Sequence, residues 1–378
     1  MILLKKVLVI SSVHPWNDTR IFHRQVQSLV KLGYQVYLIA IEANKKCGND
    51  TPYLKQVLLK RKKLILRWQH FRQVLKKIKQ ENPDVIHLHD PELLFLVPRI
   101  RKISQAKIIF DMHEDFPAAL ASKQIAGMPF KPSWIEKYKH YEKRRLQQVD
   151  GLIYAEKYYK ELYCLPEIKQ VDILNYPHLV KHSKSNKFQR FTMVYAGAIH
   201  EIRGLKEMLE LTYRLHQKKY NIQLILIGKV PSHLEDYVVT FIQENALEDV
   251  VLLKGRLDYT EVQKYYERSH LGLALLHSEP NYLGSLPTKL FEYMAFQLPF
   301  LASDFPKWAS MIHENKSGLA VPYNHLDIVE AKTEELIKNV IKRKIMANNG
   351  YLAHRNHFNW QNEEQKLAQF YKEVIGEQ

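Results

Sequence analysis

The stretch "GSLPTKLFEYMA", residues 284–295, joins a turn of small residues to a pattern typical of a helix. Its apolar residues recur at helical spacing, while Lys289 and Glu292 share another side of the same helix. The start of a helix carries about half a positive charge, and small residues leave backbone N–H groups accessible. A solvated helix start is the simplest interpretation. The alternative is an anion bound at the helix N-terminus beside Lys289, with Glu292 placed to bind hydroxyl groups.

Short apolar runs alternate with amphipathic helical segments on both sides of this stretch, along all 378 residues. Candidate strands of the first half are residues 6–12, 34–41, 84–90, 106–114 and 150–155. Those of the second half are residues 191–197, 222–228, 250–256, 271–277, 299–303 and 318–323. Strands that alternate with helices predict doubly wound parallel sheets. We therefore expect an α/β fold with two facing Rossmann-like domains and a ligand cleft at the carboxyl ends of their strands.

A polar, lysine-rich stretch at residues 182–190 separates the two series and is typical of a linker. The expected domains are residues 1–182 and residues 190–355, with a C-terminal helix within 360–378 packing back on the first domain. We also expect helices at 20–32, 68–80, 133–148, 204–218, 232–246, 258–268, 326–343 and 360–375, and a helix at 91–102 that kinks or breaks at Pro98.

The net charge of +16 is distributed unevenly. Lysine and arginine outnumber acidic residues by 31 to 17 in residues 1–180, but only by 25 to 23 in residues 181–378. The densest basic segments, residues 58–80 and 133–148, predict contact between the first domain and an anionic membrane surface. A nucleic-acid binder is disfavoured, because these segments lack an aromatic stacking motif.

No apolar run approaches the ~20 residues that span a bilayer. The two cysteines, Cys47 and Cys164, stand in no metal or redox spacing, which favours a reducing compartment. We expect a cytoplasmic protein that binds peripherally to the inner leaflet of the membrane.

Residues that suit a nucleotide diphosphate follow two strands of the second half. Gly197 permits close backbone approach, and Arg203 precedes the next helix. Because the third glycine of a GxGxxG fingerprint is missing, NAD binding is disfavoured. Arg203 and Lys289 can clamp a diphosphate, and Glu292 can accept hydrogen bonds from ribose hydroxyls. The backbone N–H groups that complete this donor site are those of Leu283, Gly284, Ser285 and Leu286.

Histidines end two strands of the first half, in "HLHD" (87–90) and "DMHED" (111–115). His113 is placed to contact a ligand at the cleft. A metal site built from His87, His89, Asp90 and His113 is an alternative that we do not adopt, because only two of these histidines share a strand.

Five stretches together resemble a known family: "NDTRIFHRQVQSLVKLGYQV", "DVIHLHDPELL", "IIFDMHEDFP", "YAGAIHEIRGL" and "LPTKLFEYMAFQLPFLAS". They occur in the order found in family-4 glycosyltransferases, and they resemble the branch that builds bacterial capsular and other surface polysaccharides. The resemblance implies a GT-B fold whose second domain binds the donor and whose first binds the acceptor. It also implies retaining transfer from a nucleotide-diphosphate sugar to a saccharide or lipid-linked saccharide, without a metal or a cofactor.

Carried over residue by residue, the resemblance makes Arg203 and Lys289 similar to the catalytic cations that bind the diphosphate. Glu292 is similar to the second glutamate of the Glu-x7-Glu motif, and His113 resembles the catalytic cleft histidine that contacts the transferred sugar. The acceptor side would use Asp18, Arg20, Glu114 and Asp115.

The sequence departs from the family pattern at two positions. Gly284 stands where the first glutamate of the motif is expected, so either Glu279 or the backbone N–H groups of residues 283–286 would bind the sugar hydroxyls in its place. Ala198 stands where the family has an arginine, which leaves Arg203 and Lys289 with more of the phosphate charge to neutralise. Two competing functions remain open: a GT-B epimerase acting on UDP-N-acetylglucosamine, and a metallohydrolase that uses the histidines.

Overall fold

The computed structural model describes residues 4–43, 50–62, 67–121, 124–125, 128–129, 131–180 and 186–377. The chain divides into two compact units: Met1–Asn175 together with Trp360–Gln378, and Tyr176–Asn359. The first segment thus ends at Asn175, earlier than the boundary at 182 suggested by the sequence. Cys47 and residues 63–66 of the basic segment lie outside the described residues.

The first unit is built on a parallel sheet. Its strands are β1 (Lys6–Pro15), β2 (Gln35–Ile41), β3 (Leu54–Leu59), β4 (Val85–Leu88), β5 (Lys107–Met112), β6 (Gln124–Ile125), β7 (Met128–Pro129), β8 (Gly151–Tyr154) and β9 (Lys169–Asp172). The sheet has the order β3-β2-β1-β4-β5-β8-β9, and β6 pairs antiparallel with β7. Leu8 and Ile10 of β1 face one hydrophobic core, and Val7 and Val9 face the other. Burial on both faces explains why this strand is a continuous apolar run.

The helices of the first unit connect these strands. They are α1 (Gln27–Lys31), α2 (Trp68–Glu81), α3 (Val97–Ile103), α4 (Phe116–Ala121), α5 (Pro132–Leu146) and α6 (Tyr159–Leu162). A π-helical segment, Thr19–Val26, leads into α1, and a 3-10 segment, Pro91–Leu96, leads into α3. The sequence pattern predicts one continuous helix over residues 20–32, and a helix over residues 91–102 that kinks or breaks at Pro98. The change from the 3-10 segment to α3 falls at Val97, directly before Pro98, where the sequence predicts a kink or a break. Pro98 lies in the first turn of α3, where the missing N–H of a proline breaks no helical hydrogen bond.

The second unit repeats this architecture. Its strands are β10 (Phe191–Ala196), β11 (Ile222–Ile227), β12 (Val251–Leu253), β13 (Leu271–Ala274), β14 (Phe300–Ser303) and β15 (Gly318–Val321). All neighbours are parallel, in the order β12-β11-β10-β13-β14-β15. The chain therefore reverses its direction of strand addition between β10 and β13, and ligands bind at such a switch point in open α/β sheets.

The helices of the second unit are α7 (Leu205–Gln217), α8 (Ser232–Glu244), α9 (Tyr259–Arg268), α10 (Pro280–Gly284), α11 (Thr288–Ala295), α12 (Pro306–Asn315), α13 (Leu326–Lys338) and α14 (Val340–Asn356). The expected single helix at 326–343 is instead two helices. Asn339 separates them because its side-chain oxygen accepts a hydrogen bond from the Lys342 N–H and caps α14.

The C-terminal helix α15 (Trp360–Ile375) belongs to the first unit. Its Trp360 indole donates to the Ser28 hydroxyl at 3.0 Å, and Phe370 and Tyr371 are buried in the core that contains Val7 and Val9. No helix in the described part of the chain combines the length and apolarity that crossing a bilayer requires. The predicted α/β class, with two Rossmann-like parallel sheets, is confirmed.

Candidate functional site

Backbone segments of the second unit converge after β10, β11 and β13. A Cβ atom on Gly228 would lie 1.9 Å from the carbonyl oxygen of Gly197. Gly204 has φ +81°, and a Cβ atom there would lie 2.1 Å from the carbonyl oxygen of Leu275. Only glycine fits such contacts, so the loops come close together at the switch point without intervening side chains.

Lys289 lies in the first turn of α11 and is only 6% exposed. Its ammonium is 4.5 Å from the centroid of the Tyr195 ring, and it would lie 3.4 Å from a Cβ atom on Gly197. Among the described residues, no carboxylate is within ion-pair distance of this ammonium. Burial, followed by the charge of Arg203, lowers the pKa of Lys289 to about 8, although Glu292 opposes the shift. The side chain is a buried cation supported by an aromatic face.

Arg203 is the second cation of this region. It ends a 3-10 turn, Glu201–Arg203, and its guanidinium lies 5.3 Å from the centroid of the Tyr282 ring. Since the charge of Arg203 lowers the pKa of Lys289, the two cations repel each other. An anion bound between them would relieve that repulsion.

Trp308 and Lys307 of α12 hold the loop between α10 and α11. The buried Trp308 indole donates to the carbonyl oxygens of Tyr282 (3.1 Å) and Ser285 (2.7 Å), and the Lys307 ammonium donates to that of Gly284 (3.0 Å). The Leu283 N–H donates to the carbonyl of Glu279, so it does not supply the free donor expected from the sequence. Backbone binding of an anion by Gly284, Ser285 and Leu286 stays a prediction.

Glu292 lies one helical turn after Lys289, on the same side of α11. Its Oε2 atom accepts a hydrogen bond of 3.1 Å from the hydroxyl of Tyr266, which is almost fully buried. Tyr293 fastens the helix to the sheet by donating to the carbonyl of Leu273 at 2.8 Å. Because Glu292 is only partly buried, its carboxylate remains able to accept hydrogen bonds from a ligand.

Aromatic residues are the part of this site that the sequence analysis missed. Tyr195, Tyr266, Tyr282 and Trp308 each contact a predicted ligand residue or its loop. The signal available in the sequence was weak, namely a tyrosine directly before the "AG" that ends a buried strand.

In the first unit, Asp111 is the penultimate residue of β5 and is fully buried. Arg20 binds both of its carboxylate oxygens, with Nε 3.0 Å from Oδ2 and Nη2 2.8 Å from Oδ1, and Gln25 donates to Oδ2 at 2.6 Å. Arg20 also donates to the carbonyl of Ile173. The geometry therefore favours a structural role for Arg20 over the acceptor contact expected from the sequence.

The buried histidines of β4 pack beside this ion pair. His87 shares a 2.7 Å hydrogen bond with the Tyr371 hydroxyl, and the His87 and His89 rings stack with centroids 4.3 Å apart. Burial lowers the pKa of His87 to about 4 and that of His89 well below its usual value, so both are neutral near pH 7. His87, His89 and Asp111 place ligand atoms within 4.8 Å of one another. A metal ion there would compete with the Arg20 guanidinium for the same carboxylate, so the arrangement fits an ion pair better.

His113 directly follows β5, and its Nε2 atom lies 3.0 Å from His89 Nδ1 and 3.4 Å from Asp111 Oδ2.

Two of the acceptor-side candidates, Asp18 and Asp115, cap helices. Asp18 Oδ1 accepts hydrogen bonds from the N–H groups of Arg20 and Ile21, and Asp115 Oδ1 accepts one from the N–H of Ala118. Among the acceptor-side candidates, Glu114 is exposed.

The structure adds His14, which the sequence analysis did not identify. It follows the buried part of β1, and its ring lies 5.2 Å from that of His113. The sequence around this histidine, "HPWNDTR", does not indicate a site, because the partner of His14, Asp90, is 76 residues away along the chain.

Family comparisons match both halves of the chain. Residues 19–165 match the model described as Glycosyltransferase Family 4, and residues 180–353 match that described as Glycosyl transferases group 1. No curated protein sequence matches the chain.

Solved structures share the fold along nearly the whole chain. Sucrose-phosphate synthase from Thermosynechococcus elongatus is 15% identical, with 99% of each chain covered and a TM-score of 0.75. Anabaena Alr3699/HepE in complex with UDP-glucose is 12% identical over 98% of this chain and 100% of that chain, with a TM-score of 0.71. WaaG, a glycosyltransferase involved in lipopolysaccharide biosynthesis, is 13% identical over 97% of this chain and 99% of that one, with a TM-score of 0.68. The family matches, one in each half, together with this shared fold show that the chain belongs to the family-4 glycosyltransferases of GT-B fold.

Proposed function

We propose that this glycosyltransferase moves a sugar from a nucleotide-diphosphate sugar to a saccharide acceptor with retention of anomeric configuration. The observation that carries the proposal is the buried Lys289 ammonium, which forms no ion pair with a carboxylate among the described residues. Burying a charge without a partner is costly, and a diphosphate would supply the partner. The UDP-glucose bound by the Anabaena protein supports this class of donor.

Lys289 and Arg203 would also act during the reaction. Charge develops on the diphosphate as the bond to the sugar breaks, and cations already in place stabilise that charge without reorganising. Because two protein cations fill this role, we propose that the reaction needs no divalent metal. Glu292, oriented by Tyr266, would bind the ribose hydroxyls.

The acceptor is proposed to be a lipid-linked saccharide in surface polysaccharide synthesis. The excess of basic residues in residues 1–180 supports peripheral binding to the inner leaflet of the cytoplasmic membrane, where such an acceptor would be exposed. The role of WaaG in lipopolysaccharide biosynthesis is consistent with this assignment.

A thermal-shift screen with UDP, GDP, CDP and TDP and their sugars tests the donor class, since ligands that bind only the folded state raise its stability. We expect one base series to raise the melting temperature, with the chelator EDTA making no difference. No shift with any nucleotide diphosphate would contradict the proposal. Incubation with the selected donor alone should give little product, whereas rapid epimerisation without an acceptor would favour the epimerase.

A further inference from the structure

We propose that His14, held by the buried Asp90, binds a neutral sugar hydroxyl of the acceptor through its Nε2 atom. The inference rests on the proposed glycosyl transfer and adds a residue and a ligand class on the acceptor side.

Asp90 is held in a fixed position two residues after the end of β4. It is 1% exposed, and its Oδ2 atom accepts hydrogen bonds from the Ser11 hydroxyl at 2.8 Å and from the Ser12 N–H at 2.6 Å. Burial alone would raise its pKa, but the hydrogen bonds from His14 and Ser11 outweigh burial and lower the pKa. Asp90 is therefore an ionised carboxylate whose position is set by the C-terminal part of β1.

The His14 ring is oriented by this carboxylate. Its Nδ1 atom lies 2.9 Å from Asp90 Oδ1, and an ionised carboxylate only accepts hydrogen bonds, so Nδ1–H is the donor. The opposite ring nitrogen, Nε2, has no hydrogen-bond partner among the described residues. The side chain is 33% exposed, in contrast to the buried His87 and His89. A carboxylate that binds one imidazole nitrogen fixes the tautomer and directs the other toward a ligand.

The charges around His14 decide the ligand class. Asp90 after β4, Asp18 before the π-helix and Glu114 after β5 all act on the ring, and the neighbouring ring is that of His113. Burial would lower the pKa of His14, but the hydrogen bond and charge of Asp90, with Asp18 and Glu114, raise it. Three carboxylates around one imidazole repel an anionic ligand, whereas a neutral hydroxyl is free to bind.

His113 supplies a second imidazole with the same kind of support. Its Nε2 atom is 3.4 Å from the buried Asp111 carboxylate, and its ring centroid is 5.2 Å from that of His14. Two adjacent imidazoles, each backed by a buried carboxylate, suit the neighbouring hydroxyl groups of a sugar.

Two substitutions of His14 test its contact with the ligand separately from its hydrogen bond to Asp90. His14→Asn keeps an N–H group near Asp90 but removes the outward nitrogen. His14→Gln is longer and places an amide near the position of Nε2. His140→Asn, at an exposed histidine on α5 of the same unit, is the matched control.

The test follows the histidine ring signals by NMR in the 378-residue protein labelled at histidine, during titration with neutral methyl glycosides and disaccharides. We expect at least one saccharide to move the His14 signal and to leave that of His140 in place. His14→Asn should weaken binding of that saccharide by roughly fivefold, the effect of one neutral hydrogen bond of about 1 kcal/mol. His14→Gln should recover part of the loss.

The inference is overturned if no saccharide in the panel moves the His14 signal, or if His14→Asn binds the saccharide as wild type does. Stronger binding of inorganic phosphate than of saccharide at His14 would also overturn it. UDP, GDP, CDP and TDP binding, measured on the same samples, shows separately whether the donor proposal stands. If the protein binds one of these nucleotides but no saccharide at His14, the donor proposal stands and the role of His14 is refuted.

Discussion

The Lys289 ammonium lies 4.5 Å from the centroid of the Tyr195 ring, and both side chains are almost fully buried. The face of an aromatic ring attracts a cation without neutralising it, so Lys289 keeps a net charge that an incoming anion can use. The Tyr195 hydroxyl is engaged elsewhere, because it donates to the carbonyl of Ala198 at 2.9 Å. The ring, and not the hydroxyl, is therefore the part of Tyr195 that supports Lys289.

Substitutions of Tyr195 separate the contribution of its ring from that of its hydroxyl. Tyr195→Leu removes the ring face, and a cation–π contact of about 0.5–2 kcal/mol corresponds to a loss of roughly two- to thirtyfold in nucleoside-diphosphate affinity. Tyr195→Phe keeps the ring and should bind nearly as wild type does. Calorimetric titration of both folded variants measures the difference. Equal loss in Phe and Leu variants would assign the effect to the hydroxyl instead.

Glu292 should distinguish a ribose from a deoxyribose. Wild type is expected to bind the ribonucleoside diphosphate more tightly than its 2′-deoxy counterpart, and Glu292→Gln should reduce that preference because the amide has less acceptor capacity. Tyr266→Phe, which removes the 3.1 Å hydrogen bond to Glu292, should have an intermediate effect. A preference that survives unchanged in Glu292→Gln would exclude this role.

The stability of the first unit should depend on the protonation of Glu142. This carboxyl is 2% exposed on α5 and accepts a hydrogen bond from Tyr163. Burial, followed by the charges of Asp115 and Glu114, raises its pKa from 4.5 to about 7. Between these values the folded state holds a proton that the unfolded state has lost, so stability falls as pH rises through this window.

Glu142→Gln removes that penalty, which amounts to about 3 kcal/mol when complete. The melting temperature of the variant, relative to wild type, should therefore be higher at pH 8 than at pH 5. Glu136→Gln, at an exposed position on the same helix, is the control and should show little dependence on pH. A Glu142→Gln difference that is the same at both pH values would show that the carboxyl is ionised throughout.

Membrane binding should depend on basic residues of α5. Lys137, Lys143 and Arg144 are exposed on this helix, and Trp134 is 65% exposed at its start. At about 1 kcal/mol for each basic residue, changing these three to glutamine should weaken binding to anionic vesicles by roughly a hundredfold. The control changes three exposed lysines of the second unit, Lys206, Lys264 and Lys332. Binding to neutral vesicles of equal strength, or equal loss in the control, would refute the prediction.

Periodicity predicted most of the fold because most strands are buried on both faces and read as continuous apolar runs. Two strands of the first sheet were not predicted, namely "LKQVLL" of β3 and "KQVD" of β9. Each forms one edge of the sheet and carries polar residues, so neither is a continuous apolar run. The break between α13 and α14 also escaped, because it depends on a local cap at Asn339 within a helical pattern.

The site was predictable where its residues are close in sequence. Lys289 and Glu292 stand three apart on one helix, so their spacing alone placed them together. Arg20 and Asp111 are 91 residues apart, and nothing in either local pattern indicated that they form an ion pair. The same holds for His14 and Asp90, whose hydrogen bond exists only because β1 and β4 are neighbours in the sheet.

The central claim is that Lys289 binds the diphosphate of the donor, and calorimetric titration of wild type and Lys289→Met tests it most directly. Each protein is titrated with the preferred nucleoside diphosphate and with its nucleoside, with Lys264→Met on the surface of α9 as the control. A charge-assisted contact of about 1.5–3 kcal/mol predicts a loss of roughly ten- to a hundredfold for the diphosphate in Lys289→Met, with the nucleoside nearly unaffected. Equal weakening of both ligands, or unchanged diphosphate affinity, would contradict the account.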